Sequence, residues 1–278
     1  MAKLIYETSS GQLEFGNEAP LLVTKINGLG SVKTGIRTQK SPRQDGVTVT
    51  DMALEPRFVT IEGQILEPDK YRQQEIREQM LRIFRPKTEA KLTLERYGTT
   101  RTITCVPEIA PEFPSAMQSR IQSFFLSLVC PDPYWQAEIE SATEIVTWIG
   151  GLEFPLVFPT AFSTAGEKLI NVINAGDVET PIRVEISAPA TNPTLTHVGT
   201  GEFIRVKREL TGNDVLVVTT DFGNKRVEID GVSKFNYIDQ ETTFFSLLPG
   251  DNILEYTSDD EQEKARVRIS YKNRYLGV

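Results

Sequence analysis

One histidine and two cysteines in 278 residues leave little material for metal or thiol chemistry. His197, Cys105 and Cys130 are too few to build a zinc site of three or four His/Cys ligands, and the C-x-x-C spacing is absent. Each cysteine sits in an apolar, strand-like run, where a buried and inert thiol is expected. No apolar run approaches the roughly 18 to 20 residues of a membrane span. The start, MAKLIYETSSGQLEF, has no apolar signal region before a small-residue cleavage site. The chain therefore reads as made and kept in the cytosol, or released without a signal peptide. A basic excess is also missing: 30 Lys and Arg stand against 38 Asp and Glu, a net charge of −8. That balance repels phosphate and lacks the electrostatic footprint of a nucleic-acid binder. There is no G-x-S-x-G, no P-loop, and no helical run after Asn27-Gly28-Leu29-Gly30 that would make a dinucleotide fingerprint.

What is present is strand patterning. LLVTKI, GVTVTDM and FVTIEGQI follow one another between Gly, Pro and Asp punctuation. Val47 and Val49 alternate with Thr48 and Thr50, and Val59 and Ile61 with Thr60 and Glu62, the period of half-buried strands. One segment departs from it. In DKYRQQEIREQMLRIFRPK, Ile76, Met80, Ile83 and Phe84 recur at helical spacing, Asp69 is placed to cap and Pro86 to stop, so a helix is expected over about 69–85. KLTLERYGTTRTITCVPEI reads as a hairpin turning at Tyr97-Gly98-Thr99-Thr100, PEIAPEFPSAMQS as a proline-rich loop, and RIQSFFLSLVC as a central strand. Strands every 8 to 15 residues return beyond about residue 166 without helical period. A mainly β chain of two domains is expected: 1–136, a β-rich domain with one helix and the hairpin, and 137–278, a β-sandwich or jelly roll that includes the linker region.

Candidate chemistry is sparse. Asp177, Asp221, Asp230, Asp251 and the run Asp259-Asp260-Glu261 are acidic, but each adjoins a turn glycine or sits in a charged loop, and the run lacks EF-hand spacing. A wall-degrading hydrolase would need two carboxyls across one cleft, which no spacing here indicates. His197, in TNPTLTHVGTGEF, reads as a surface or turn residue. Trp148, Phe203, Phe235 and Tyr237 are candidates for stacking on a glycan ring, although aromatics at strand spacing are more often core. No catalytic residue, cofactor or metal is expected. In FFLSLVCPDPYW (124–135), Cys130, Pro131, Pro133, Tyr134 and Trp135 mark a domain junction, where two prolines stop the ladder and Trp135 is expected to be buried.

These pieces, in this order, resemble the distal tail protein family of bacteriophages with long non-contractile tails, also found in prophages and tail-like particles. The resemblance rests on Asp45-Gly46, RFVTIEG, LRIFRPK, RTITCVPEIAPEF and above all FFLSLVCPDPYW, then on NVINAGDVETPIRVEI, DFGNKRVEIDG and LLPGDNILEY. It implies a structural, non-enzymatic virion component at the tail tip, assembled in the bacterial cytoplasm, with a ring-forming N-terminal β-sandwich that carries one α-helix and a β-hairpin, and an outward galectin-like or jelly-roll C-terminal β-sandwich. Implied partners are other copies in a hexameric ring, the tail-tube protein, a tail-tip protein, and a receptor-binding protein or host glycan, with DNA only in passage. The hairpin 92–104 and the loop 107–115 are the expected contact elements, with Arg101, Pro107, Glu108, Pro111, Phe113 and Pro114 as interface candidates. A ring also gives the acidity a use, because lumen carboxylates would keep DNA off the wall.

Overall fold

A computed structural model describes residues 3–30, 32–114, 121–146, 148–149, 164–165, 168–260 and 265–278. The chain divides into two compact units, Met1–Glu138 with Tyr275–Val278, and Ile139–Arg274. The last four residues thus return to the first unit, so the second is not the uninterrupted 137–278 of the sequence reading.

The first unit contains β1 (Lys3–Thr8), β2 (Gly11–Phe15), β3 (Leu21–Asn27), β4 (Thr34–Gln39), β5 (Thr48–Leu54) and β6 (Arg57–Leu66). After α1 (Lys70–Ile83) come β7 (Ala90–Arg96), β8 (Thr99–Pro107), β9 (Ile121–Cys130) and β10 (Trp135–Ala137). The main sheet runs β2-β1-β7-β8-β9-β6-β3, with β10 paired to β8. Its two ends meet only at a bridge between Gly16 and Leu22, so it curls without closing as a barrel. Strict alternation along β6 turns Val59, Ile61 and Ile65 inward. Gly63 interrupts that inward series because the Phe124 ring fills the space: a Cβ there would lie 2.3 Å from the ring.

Helix α1 begins where Asp69 Oδ1 accepts the Tyr71 N–H at 3.0 Å. Its apolar side sets Met80, Ile83 and Phe84 into the core, and Phe84 stacks on Tyr6 with ring centroids 3.9 Å apart. The β7–β8 hairpin turns at Tyr97 (φ 49°) and Gly98 (φ 79°), the two left-handed residues of a tight turn.

In the second unit, six strands form one antiparallel sheet in the order 141–146, 266–271, 182–187, 215–219, 226–229, 232–233. Four form another in the order 169–174, 250–257, 194–197, 203–205. Val184, Val218, Val267 and Ile269 from the first share a core with Val172, Leu195, Leu254 and Tyr256 from the second. This is a β-sandwich, as the strand spacing led one to expect.

His197 is not the surface residue of the sequence reading. It is 3% exposed, its Nε2 lies 3.0 Å from Asn252 Oδ1, and its Nδ1 accepts the Thr200 N–H at 3.2 Å. The Nδ1 role fixes the neutral tautomer with the proton on Nε2. Asn252 in turn bonds Leu248 N, Leu248 O and Gly250 O, closing the Pro249-Gly250 turn from within. The histidine and asparagine are a turn-locking pair.

Candidate functional site

Three of the acidic candidates go to structural tasks. Asp230 sits at φ 50° in a tight turn and accepts the Val215 N–H, Asp251 accepts Asn171 Nδ2, and Asp259 accepts Asn192 Nδ2. Glu261 lies outside the described residues. Among the described residues, no three His, Cys, Asp or Glu side chains gather around a common point.

Each aromatic candidate whose side chain the structure describes already packs against a neighbour. Phe203 lies beneath the Arg205 guanidinium (5.5 Å) and Tyr237 beneath that of Arg208 (5.2 Å). Phe235 is half-exposed and stacks on Phe244. The side chain of Trp148 lies outside what the structure describes.

The junction residues separate into a sealed group and a surface group. Cys130 and Trp135 are fully buried, Pro131 is exposed, and Pro133 and Tyr134 are half-buried. What holds them is Arg57, 2% exposed. Its Nε donates to Pro133 O at 2.7 Å, Nη1 to Gly28 O at 2.6 Å and Leu29 O at 3.2 Å, and Nη2 to Leu276 O at 2.5 Å. Trp135 Nε1 donates to the same Leu29 carbonyl at 3.2 Å. Burial holds the guanidinium pKa below its usual range. Gly28 (φ 86°) permits the approach, since a Cβ there would lie 1.9 Å from Phe58 O. The clamp thus gathers the β3 end, the proline turn and the returning C-terminal residues. Nothing in the spacing of Arg57 pointed to this role.

The interface candidates fare differently. Arg101 packs over the Tyr275 ring at 3.6 Å, and the hairpin that carries it is internal, with Leu92, Leu94 and Ile103 buried. The proline-rich loop is sewn to β9 by Glu112–Phe125 and Glu108–Ser127 backbone bonds, with Pro107 and Pro111 buried. Phe113 lies under Arg77, and Glu108, Glu112 and Pro114 face outward.

The projecting element is another one. Strands β4 and β5 pair only with each other. Ile36 (55% exposed) stands directly opposite Met52 (66%), and Val47 and Val49 follow at about half exposure. Ion pairs Lys33–Glu55 (2.9 Å) and Arg37–Asp51 (4.0 Å) tie the ribbon together. The alternation at Val47 and Val49 predicted half-buried strands; the pattern is that of a strand with a buried face, but none of the described residues covers it. An isolated two-stranded ribbon is marginal in water, and four large apolar side chains on it form the kind of patch that marks an association surface.

Comparison with known proteins adds the family. Residues 9–130 match the family described as phage tail protein RIFT-related domain, and residues 175–275 that described as siphovirus-type tail component, C-terminal domain. A search of curated proteins returned no match. Among solved structures, the phage SPP1 Dit protein (gp 19.1), titled a paradigm of hub adsorption apparatus in Gram-positive infecting phages, is similar with a TM-score of 0.72 at 14% identity. The likeness covers 98% of this chain and 99% of that one. The phage P2 baseplate in its activated conformation with Ca is similar at TM-score 0.53 and 10% identity, covering 97% and 98%. The two matched segments are both siphovirus tail domains in tandem, which makes the protein a structural, virion-associated tail component. With these two models matched in tandem, the chain belongs to the siphophage distal tail family.

Proposed function

We propose that six copies of this chain form a hub ring at the tip of a long phage tail, joining the tail tube on one side to the tail-tip protein on the other. The ring leaves a channel through which DNA passes. In this reading the protein is assembled in the bacterial cytoplasm, performs no catalysis and docks further tail components on its outer surface. The first unit, Met1–Glu138 with Tyr275–Val278, closes the ring.

The observation that carries the reading is the β4–β5 ribbon, whose Ile36, Val47, Val49 and Met52 are patterned for burial and left open. A neighbouring copy presenting the same fold would cover the ribbon in a head-to-tail contact, and such contacts close into rings. The test is mass determination by light scattering and native mass spectrometry, alone and with the tail-tube protein. A hexamer is expected, and the Ile36→Ser, Met52→Ser double variant should be monomeric with an unchanged melting midpoint. A monomer under every condition, tail-tube protein included, sinks the proposal.

A further inference from the structure

The first unit sets four residues side by side in one inward-facing row. Ala90 of β7 stands opposite Cys105 of β8, and Arg57 of β6 opposite Cys130 of β9. The β8–β9 pairing joins the halves. Val106 lies opposite Val129 and Pro107 opposite Leu128, so one step along the ladder places Cys105 opposite Cys130. Both cysteines are free thiols and neither is solvent-exposed.

Opposed residues in an antiparallel pair alternate between hydrogen-bonded and non-hydrogen-bonded positions. The Glu108 N–H donates to Ser127 O at 2.9 Å, which makes 108/127 a hydrogen-bonded pair. Counting back, 107/128 is non-hydrogen-bonded, 106/129 hydrogen-bonded and 105/130 non-hydrogen-bonded. Pro107 agrees with this count, because a proline at a non-hydrogen-bonded position forfeits no ladder bond. At such positions Cα atoms approach to about 4.5 Å, inside the roughly 4.4 to 6.8 Å that a disulfide spans. The register thus sets the two buried thiols face to face on the inner side of the sheet.

We propose that Cys105 and Cys130 are a cross-strand redox pair that closes into a disulfide when the chain folds in contact with a small-molecule disulfide such as oxidised glutathione. One cysteine thiolate attacks a sulfur of the oxidant, forming a mixed disulfide and releasing one glutathione. The other cysteine sulfur then displaces the second. One S–S bond forms between β8 and β9, and the two electrons and two protons leave in two glutathione thiols. In the folded dithiol this exchange is blocked. Neither sulfur is reachable from solvent, and the Cys130 thiol and burial push the Cys105 pKa well above the usual cysteine range. The redox state is therefore written during folding and kept afterwards.

The test unfolds the full chain, refolds it with a mixture of oxidised and reduced glutathione, then denatures and alkylates it. The expected product is a monomer lighter by two hydrogens that takes up no alkylating reagent and melts higher by about 10 °C. Folded dithiol protein given the same mixture should keep both thiols. Cys130→Ser should lose the melting gain. Refolded protein alkylated at both cysteines, or only intermolecular and glutathione-mixed disulfides in a peptide map, would overturn the pairing. Should refolding from denaturant fail, expression in a cytosol lacking its thiol-reducing systems gives the same readout, with two alkylatable thiols again counting against the proposal.

Discussion

A buried guanidinium is expensive unless its N–H groups find acceptors, and Arg57 meets the requirement with backbone carbonyls from three separate parts of the chain. Arg57→Ala would leave those carbonyls without their donor and should cost about 3–5 kcal/mol, read as a shift in the urea midpoint of the first unit. Arg57→Lys should recover only a fraction of it, because one ammonium cannot reach in three directions. Trp135, fully buried beside the same Leu29 carbonyl, should cost about 3–5 kcal/mol when replaced by Ala. A near-neutral shift there would mean that the ring is not sealed in solution. In the second unit, Asp239 accepts from Lys207 Nζ at 3.0 Å, which with the Glu241 N–H and nearby Arg205 holds its carboxyl below the usual range. A depressed carboxyl adds stability above the unfolded-state pKa, about 4, and loses it as pH falls through the lower folded value. Melting of the second unit should therefore drop below about pH 4, and Asp239→Asn should flatten that acid limb at the expense of stability near neutrality.

At the scale of elements, legibility followed periodicity. Helix α1 and the Tyr97-Gly98 turn were readable because capping, a stop proline and left-handed turn residues are local signals. The β4–β5 ribbon was half legible: alternation at Val47 and Val49 announced a strand with one apolar face, but only the three-dimensional structure shows that no described residue covers that face. The place of the hairpin 92–104 in the middle of the sheet was not legible, for the complementary reason. A hairpin looks the same in sequence whether it projects or sits mid-sheet, and Leu92, Leu94 and Ile103 are buried by strands far away in the chain. His197 was misread because its partner Asn252 is 55 residues distant. The returning segment Tyr275–Val278 was invisible, since its contacts with Arg57 and Arg101 join residues far apart in the chain, 219 positions in the case of Arg57 and Leu276. Deleting 275–278 should lower the denaturant midpoint of the first unit, while the second, with its own core, keeps its transition. Equal loss in both would mean that the segment does not belong to the first unit's core.

At the scale of the whole molecule, the charge needs redistribution. Residues 1–138 carry 17 Lys and Arg against 17 Asp and Glu, whereas residues 139–274 carry 13 against 21. The whole net charge of −8 lies in the second unit. If the first unit closes the ring, its balanced composition gives the channel no acidic wall to keep DNA from sticking. Any such repulsion would have to rest on which side chains face the channel. The same neutrality bears on assembly. Self-repulsion between first units is small, and the surface proposed to bring them together is apolar, so screening has little to act on. Raising NaCl from about 0.05 to 1 M, where the Debye length falls from roughly 14 to 3 Å, should leave the mass distribution of the assembled protein nearly unchanged or shift it slightly toward the ring. Dissociation at high salt would instead assign the contact to ion pairs, and would move attention from Ile36 and Met52 to the exposed Lys40 and Arg43 in the ribbon's loop.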